Sequence, residues 1–259
     1  MTRLITLILL LAFAKVNAQK IELTPEIPPI NVGGKAQLDR LIYTQLFVPP
    51  KLIWVDDKLI TIYFTVTKEG KMIDPFFKDK YDEYYQTESK RLLDLLLFEP
   101  AKIGSTVVDA YGSITMTFNG AKYKESLKER KKLKSNLPKP EDSTNVIYEA
   151  ADKSPEFLKG DDAYPQFVLD NIEYPNVAKT QNIEGTVQLT FIVEKNGFVS
   201  NIKAVTEVNG GCTQEAIRII NLLKWKPAEK NGKYVRYKMT LPITFSLKNI
   251  NRDNSNSQQ

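Results

Sequence analysis

The feature that most limits what this chain can fold into is an internal repeat. Residues 59–118 laid without a gap on residues 186–245, an offset of 127, agree at thirteen of sixty positions. Ordinary residue frequencies give about four. The shared residues include Phe64 with Phe191, Val66 with Val193, Gly70 with Gly197, Glu88 with Glu215 and Arg91 with Arg218. Pro100-Ala101 falls on Pro227-Ala228, and Thr117-Phe118 on Thr244-Phe245. A slip of one residue continues the match upstream, placing Pro49 on Pro175 and Leu41-Ile42 on Phe167-Val168. Solenoid repeats run about 20–45 residues, so an offset this long predicts two complete small domains in tandem.

The apolar periodicity reads alike in both copies. Ile60, Ile62, Phe64 and Val66 alternate with Thr61, Tyr63, Thr65 and Thr67, as do Val187, Leu189, Phe191 and Val193 with their polar neighbours; this is the period of a half-buried strand. Asn196-Gly197 predicts a tight hairpin with positive φ at both residues, and Glu69-Gly70 a weaker counterpart. Val199 to Val205 reads as the returning strand. Ala216, Ile217, Ile220 and Leu223 recur at helical spacing, with Thr213 as cap, Glu215 in the first turn and Pro227 as the stop. Copy one offers Thr87, Glu88, Leu92, Leu93 and Leu96 before Pro100. Alternation from Val235 to Leu247 closes copy two with a long strand, and a short helix over 164–172 should precede its first. Each unit is therefore α+β: an antiparallel sheet of about three strands packed on two helices.

The chain has no His, which removes Ser-His-Asp catalysis, imidazole metal sites and His acid/base chemistry. One Cys, Cys212, excludes an internal disulfide and a cysteine zinc cluster. An excess of 36 Lys and Arg over 31 Asp and Glu is spread along the chain and does not argue for nucleic acid. Neither Asp161-Asp162 nor Asp82-Glu83 stands among enough acidic partners to read as a metal site. The sequence thus predicts no catalytic residues, no metal and no cofactor. Arg3, the apolar run Leu4 to Ala14 and Val16-Asn17-Ala18 read as a signal peptide, residues 1–18, cleaved near Ala18. The run is shorter than the roughly 20 residues of a permanent anchor, so a periplasmic product is expected.

The boundaries that follow are 19–120 for the first domain, 121–153 for a basic helical extension with a flexible linker, 154–248 for the second domain, and 249–259 for a polar, disordered tail. The stretch 122–134 carries six Lys and one Arg against two Glu and reads as a solvated helix face.

Within the second unit, Ser154-Pro155-Glu156-Phe157 with Gly160 leads to Ile172-Glu173-Tyr174-Pro175 and Ala178. Ile183-Glu184-Gly185-Thr186-Val187 opens the strand that ends in Glu194-Lys195-Asn196-Gly197. Glu215-Ala216-Ile217-Arg218, Trp225-Lys226-Pro227-Ala228, Asn231-Gly232-Lys233 and Leu241-Pro242-Ile243-Thr244-Phe245 follow. This series resembles the C-terminal domain of TonB, the periplasmic energy transducer of Gram-negative bacteria. The first unit is similar to a degenerate version, with Val48-Pro49 for Tyr174-Pro175 and Thr115 for Pro242.

The resemblance implies capture of a short segment of an outer-membrane transporter, the TonB box, along an exposed sheet edge. Independently, Pro242 lacks a ladder donor and marks its strand as an edge, where an extended peptide can pair with open backbone groups. The expected partner-binding residues are Tyr174, Pro175, Tyr234, Val235, Arg236, Tyr237, Lys238, Met239 and Thr240, with Arg236 and Lys238 suited to an acidic or polar peptide. A non-enzymatic periplasmic binding protein linked to transmembrane transport is the leading reading. An envelope scaffold using its domains for dimerisation, as a homodimer, and a short anchored transducer with an uncleaved leader stay open as alternatives.

Overall fold

The computed structural model describes residues 21–49 and 57–248; the signal peptide and the tail expected from sequence lie outside them. In the first half the elements run β1 (Ile30–Asn31), α1 (Gly34–Gln45), β2 (Lys58–Val66), β3 (Met72–Phe76), α2 (Glu83–Leu93), β4 (Phe98–Glu99), β5 (Ala101–Ile103), β6 (Thr106–Val108) and β7 (Ala110–Phe118). Helix α3 (Gly120–Lys134) and the two-residue strand β8 (Ile147–Tyr148) follow. The second half comprises β9 (Glu156–Phe157), α4 (Tyr164–Asn171), α5 (Asn176–Thr180), β10 (Gly185–Val193), β11 (Val199–Thr206), α6 (Cys212–Leu222), β12 (Trp225–Lys226), β13 (Ala228–Lys230) and β14 (Lys233–Phe245).

The alternation read from sequence sets the layers. Ile60, Ile62, Phe64 and Val66 point from β2 into a core with Leu38, Leu41, Leu92 and Leu93 of the two helices. Val187, Leu189, Phe191 and Val193 do the same from β10, against Ala216, Ile219 and Ile220 of α6. The antiparallel sheets are ordered β3-β2-β7 and β11-β10-β14. Their central ladders coincide pair for pair under the offset of 127, from Lys58↔Phe118 with Gly185↔Phe245 to Val66↔Ala110 with Val193↔Tyr237. Upstream the offset is 126: the bridges Glu22↔Ala110 and Ile27↔Lys102 correspond to Tyr148↔Tyr237 and Lys153↔Glu229. The one-residue slip therefore falls between Pro49 and Lys58.

Both hairpins use the same turn, which corrects the sequence reading of Asn196. Only Gly197 is left-handed (φ +80). Its N–H donates to Glu194 C=O (2.9 Å), and Glu194 N–H to Phe198 C=O (2.8 Å). Gly70 (φ +77) repeats this with Thr67 and Lys71. This is a three-residue turn closed by a left-handed glycine. Position 70 or 197 must also lack a side chain, because a Cβ would stand 2.7 Å from Phe98 O or 2.3 Å from Trp225 O. The second correction concerns α6, which begins at Cys212 after a left-handed Gly211. The Thr213 hydroxyl instead ties back to both main-chain groups of Val208 (2.9 and 3.0 Å).

The segment read as a solvated helix and flexible linker is docked. From α3, Tyr123 packs on the first core, and its hydroxyl accepts from Val48 N–H (3.1 Å). Arg130 donates to Leu46 C=O. Leu133 and Leu137 form a small core with Phe198 and Tyr234 of the second half. A buried polar network joins the halves where apolar contact does not. Asn201 accepts from Leu97 N–H (2.8 Å) and donates to Leu95 C=O (3.0 Å), and Arg236 reaches the same carbonyl (2.8 Å).

Candidate partner-binding edge

Strand β14 is thirteen residues long, and its two sides are used differently. Its C-terminal nine residues pair with β10, and Lys233 to Val235 pair with β13. On the opposite side, Tyr234 N–H donates to Pro140 C=O (2.9 Å) and Tyr234 C=O accepts from Asp142 N–H (2.8 Å). The two-residue strand β8 then runs parallel to Arg236 and Tyr237. Main-chain groups alternate sides along a strand, so the even-numbered residues from Tyr234 to Thr244 turn theirs away from β10. Pro242 is one of these, and its missing N–H costs the sheet nothing.

The rim is thus half occupied by the chain's own linker. Beyond Tyr148, among the described residues, no strand pairs with Thr240, Pro242 or Thr244 on that side. One side chain reaches it: the Tyr164 hydroxyl donates to Pro242 C=O (3.3 Å). Burial pushes that hydroxyl up to about 12, which keeps it a donor through the neutral range.

The residues expected at the site therefore divide. Lys238 is exposed and pairs with exposed Glu149 (2.9 Å), a contact of little energetic weight. Met239 is half-buried and Thr240 exposed, both on the open half. Tyr237 is half-buried, with its hydroxyl bonded to Glu149 C=O (2.9 Å). Tyr234, Val235 and Arg236 are buried. Arg236 differs most from the sequence reading: strand parity puts it on a polar face, yet that face is covered. Its guanidinium forms a two-point pair with Glu194 (2.8 and 2.9 Å) and also meets Leu95 C=O and Asn145 C=O. It has no charge left for a guest.

Tyr174 and Pro175 lie at the far end of β14. The Tyr174 ring meets Phe245 edge-on at 5.6 Å, and its hydroxyl donates to Ile183 C=O. Pro175 borders a groove with Thr244, Phe245 and Ser246. Beneath this corner Glu215 accepts Glu173 N–H (2.6 Å), and Arg218, bonded to Glu215, donates to Asn171 C=O. In the first half Glu88 accepts Phe47 N–H (2.7 Å), and Arg91 donates to Gln45 C=O (2.6 Å). In both halves the Glu–Arg pair clamps the chain after a helix. The lone thiol, Cys212, is buried and its pKa raised by that burial, so it is poorly suited to nucleophilic work. No group of three or more His, Cys, Asp or Glu stands ready to hold a metal among the described residues.

Fold and edge together define a small α+β unit with a partly open terminal strand. Residues 170–247 match the family model TonB_C, the Gram-negative bacterial TonB protein C-terminal, and the match supports that family for the segment. The solution structure of the Helicobacter pylori TonB C-terminal domain is similar over 32% of this chain and 76% of that one, at 24% identity and a TM-score of 0.26. The Pseudomonas aeruginosa TonB C-terminal domain covers 39% of this chain and 95% of its own length, at 20% identity and a TM-score of 0.29. No curated protein matches the chain. Among the described residues no helix is long and apolar enough to cross a membrane.

Proposed function

We propose that this chain is a non-enzymatic, exported protein of the Gram-negative envelope that carries two copies of the TonB C-terminal fold. It captures an extended segment of an outer-membrane transporter, or of another envelope protein, by strand addition. The family match over 170–247 supports the class, and the coincident ladders of the two halves support the tandem organisation. The observation that carries the mechanism is the half-open rim of β14. A guest strand continues the sheet where β8 stops, pairing from Lys238 to Thr244, with Tyr174 and Pro175 at its far end. Residues 234–237 form the closed end of this rim rather than contact surface.

Affinity comes from main-chain hydrogen bonds, each worth about 0.5–1.5 kcal/mol net. The Thr240 and Thr244 N–H groups supply the donors, and Pro242 breaks the row between them. The test is titration of the full chain with a synthetic TonB-box-like peptide, read by amide NMR shifts. Saturable shifts centred on Lys238 to Thr244 are expected, and Thr240→Pro should weaken binding about tenfold while leaving the fold intact, since an edge tolerates proline. A folded protein whose rim amides do not respond, or a Thr240→Pro variant that binds unchanged, rules the mechanism out.

A further inference from the structure

Under the repeat offset, a seat that is filled in the first half is, among the described residues, open in the second. In the first half, α3 follows β7 and lies against the end of α1, the Phe47-Val48 corner and the Glu88–Arg91 clamp. Tyr123 anchors it on Val48, and Arg130 on Leu46 C=O. The counterparts of Ile42, Tyr43, Leu46, Phe47 and Val48 are Val168, Leu169, Ile172, Glu173 and Tyr174. These five, with Glu215 and Arg218, border a groove of about 1150 Å³. The two backbone groups that α3 satisfies in the first half, at Leu46 and Val48, correspond to Ile172 C=O and Tyr174 N–H. Neither has a hydrogen-bond partner among the described residues. Leu169 at the mouth is a large exposed apolar side chain.

We propose that this groove is a docking site for a basic amphipathic helix of a different protein, with the chemistry of α3: an aromatic hydroxyl for Tyr174 N–H and, seven residues on, a guanidinium for Ile172 C=O. Positions seven apart share a helix face. Charge favours this occupant. Asp170 and Glu173 replace Thr44 and Phe47 of the first half, and the Glu173 side chain is 82% exposed with Arg218 3.7 Å away. Glu215 and Arg218 neutralise each other in the floor, leaving Asp170 and Glu173 against Lys179 at the mouth. The chain's own residues suit the seat poorly: Ile250 and Ser257 take the places of Tyr123 and Arg130, and 249–259 carry one apolar side chain. The α3 of a second copy is not free, because Tyr123 and Leu133 are committed to their own cores.

A synthetic peptide of residues 119–137, as a stand-in for that helix, titrated into the full chain tests the proposal. Saturable amide shifts are expected at Leu169, Glu173 and Arg218. Glu173→Lys in the protein, or loss of the tyrosine or arginine from the peptide, should each weaken binding at least fivefold. Absence of binding, or binding indifferent to Glu173→Lys, overturns it. Shifts confined to Ile42 to Val48 mean displacement of the resident α3 and also overturn it. Binding that emerges only after removal of 249–259 assigns the seat to the chain's own tail. Self-association of the unliganded protein abolished by Glu173→Lys assigns it to a second copy.

Discussion

At the scale of single residues, the glycines were the most legible positions and Arg236 the least. Gly70 and Gly197 stand at the same place in both copies, and each needs both a left-handed φ and a missing side chain. Left-handed backbone costs a residue with a Cβ about 1–2 kcal/mol, and the contact with Trp225 O adds to that. Gly197→Ala should therefore destabilise by about 3 kcal/mol or more, and Gly232→Ala, left-handed but facing open space, by about 1–2 kcal/mol. Urea unfolding of both variants checks the difference; equal losses would mean that the turn does not press on the Trp225 carbonyl. Arg236 lay on the wrong side of any periodicity argument, because period two says which face a side chain is on and not what covers that face. Its pair with Glu194 is 2% exposed on both sides. Removing one partner from such a pair strands a charge and typically costs about 3–5 kcal/mol, whereas replacing both is often neutral. Arg236→Met alone should be strongly destabilising, and adding Glu194→Met should recover most of the loss, since Asn201 still serves Leu95 C=O. A double variant as unstable as the single one would show that the arginine's carbonyl contacts matter more than the ion pair.

Elements were legible where a period runs long enough, and not where two or three residues do the work. The alternation of β2, β10 and β14 marks the strands, and Pro242 marks an edge from the sequence alone. Strand β8 has two residues after a Pro-rich, charged stretch, which carries no period at all. Its docking, which closes half the candidate rim, follows from neighbouring backbone and could not be read. The linker is also fastened by charge: Glu229 on β13 is buried and held by Lys139 and by Lys153 (3.3 Å). Chiefly the hydrogen bond from Lys139, and then Lys153, holds its carboxyl below the ordinary glutamate value despite burial. A folded pKa below the unfolded one means that stability from this group is present above the ordinary carboxylate range, about pH 4, and is lost as pH falls through the folded value. The stability gap between the native chain and Glu229→Gln should be widest near neutrality and should close on acidification. A gap constant from pH 7 to pH 3 would remove the linker's charge clamp from the account.

At the scale of the whole molecule, the repeat predicts two similar units and says nothing about how they meet. Their meeting is polar and specific: Arg40 donates to Asn221 C=O (2.9 Å), Asn196 bonds Thr44 C=O and Gln45 (both 3.1 Å), and Lys203 pairs with Glu99 (2.8 Å). Phe198 and Tyr234 of the second unit are buried together with Leu133 of α3 and Leu137 just beyond it. Cutting the chain at residue 154 would expose these aromatics and leave Arg236 without Leu95 and Asn145, though still paired with Glu194. Two-state behaviour across both units is therefore expected, because neither half can unfold without exposing apolar surface and unpaired polar groups of the other. In urea, amide signals of β2 and β10 should disappear at one midpoint, and residues 154–248 expressed alone should show a clearly lower midpoint than the same strands in the full chain. Two separated midpoints in the full chain would mean that the units are beads on a string. The half-closed rim would then not be held by the first unit, and a guest could compete for all of β14 rather than only its open end.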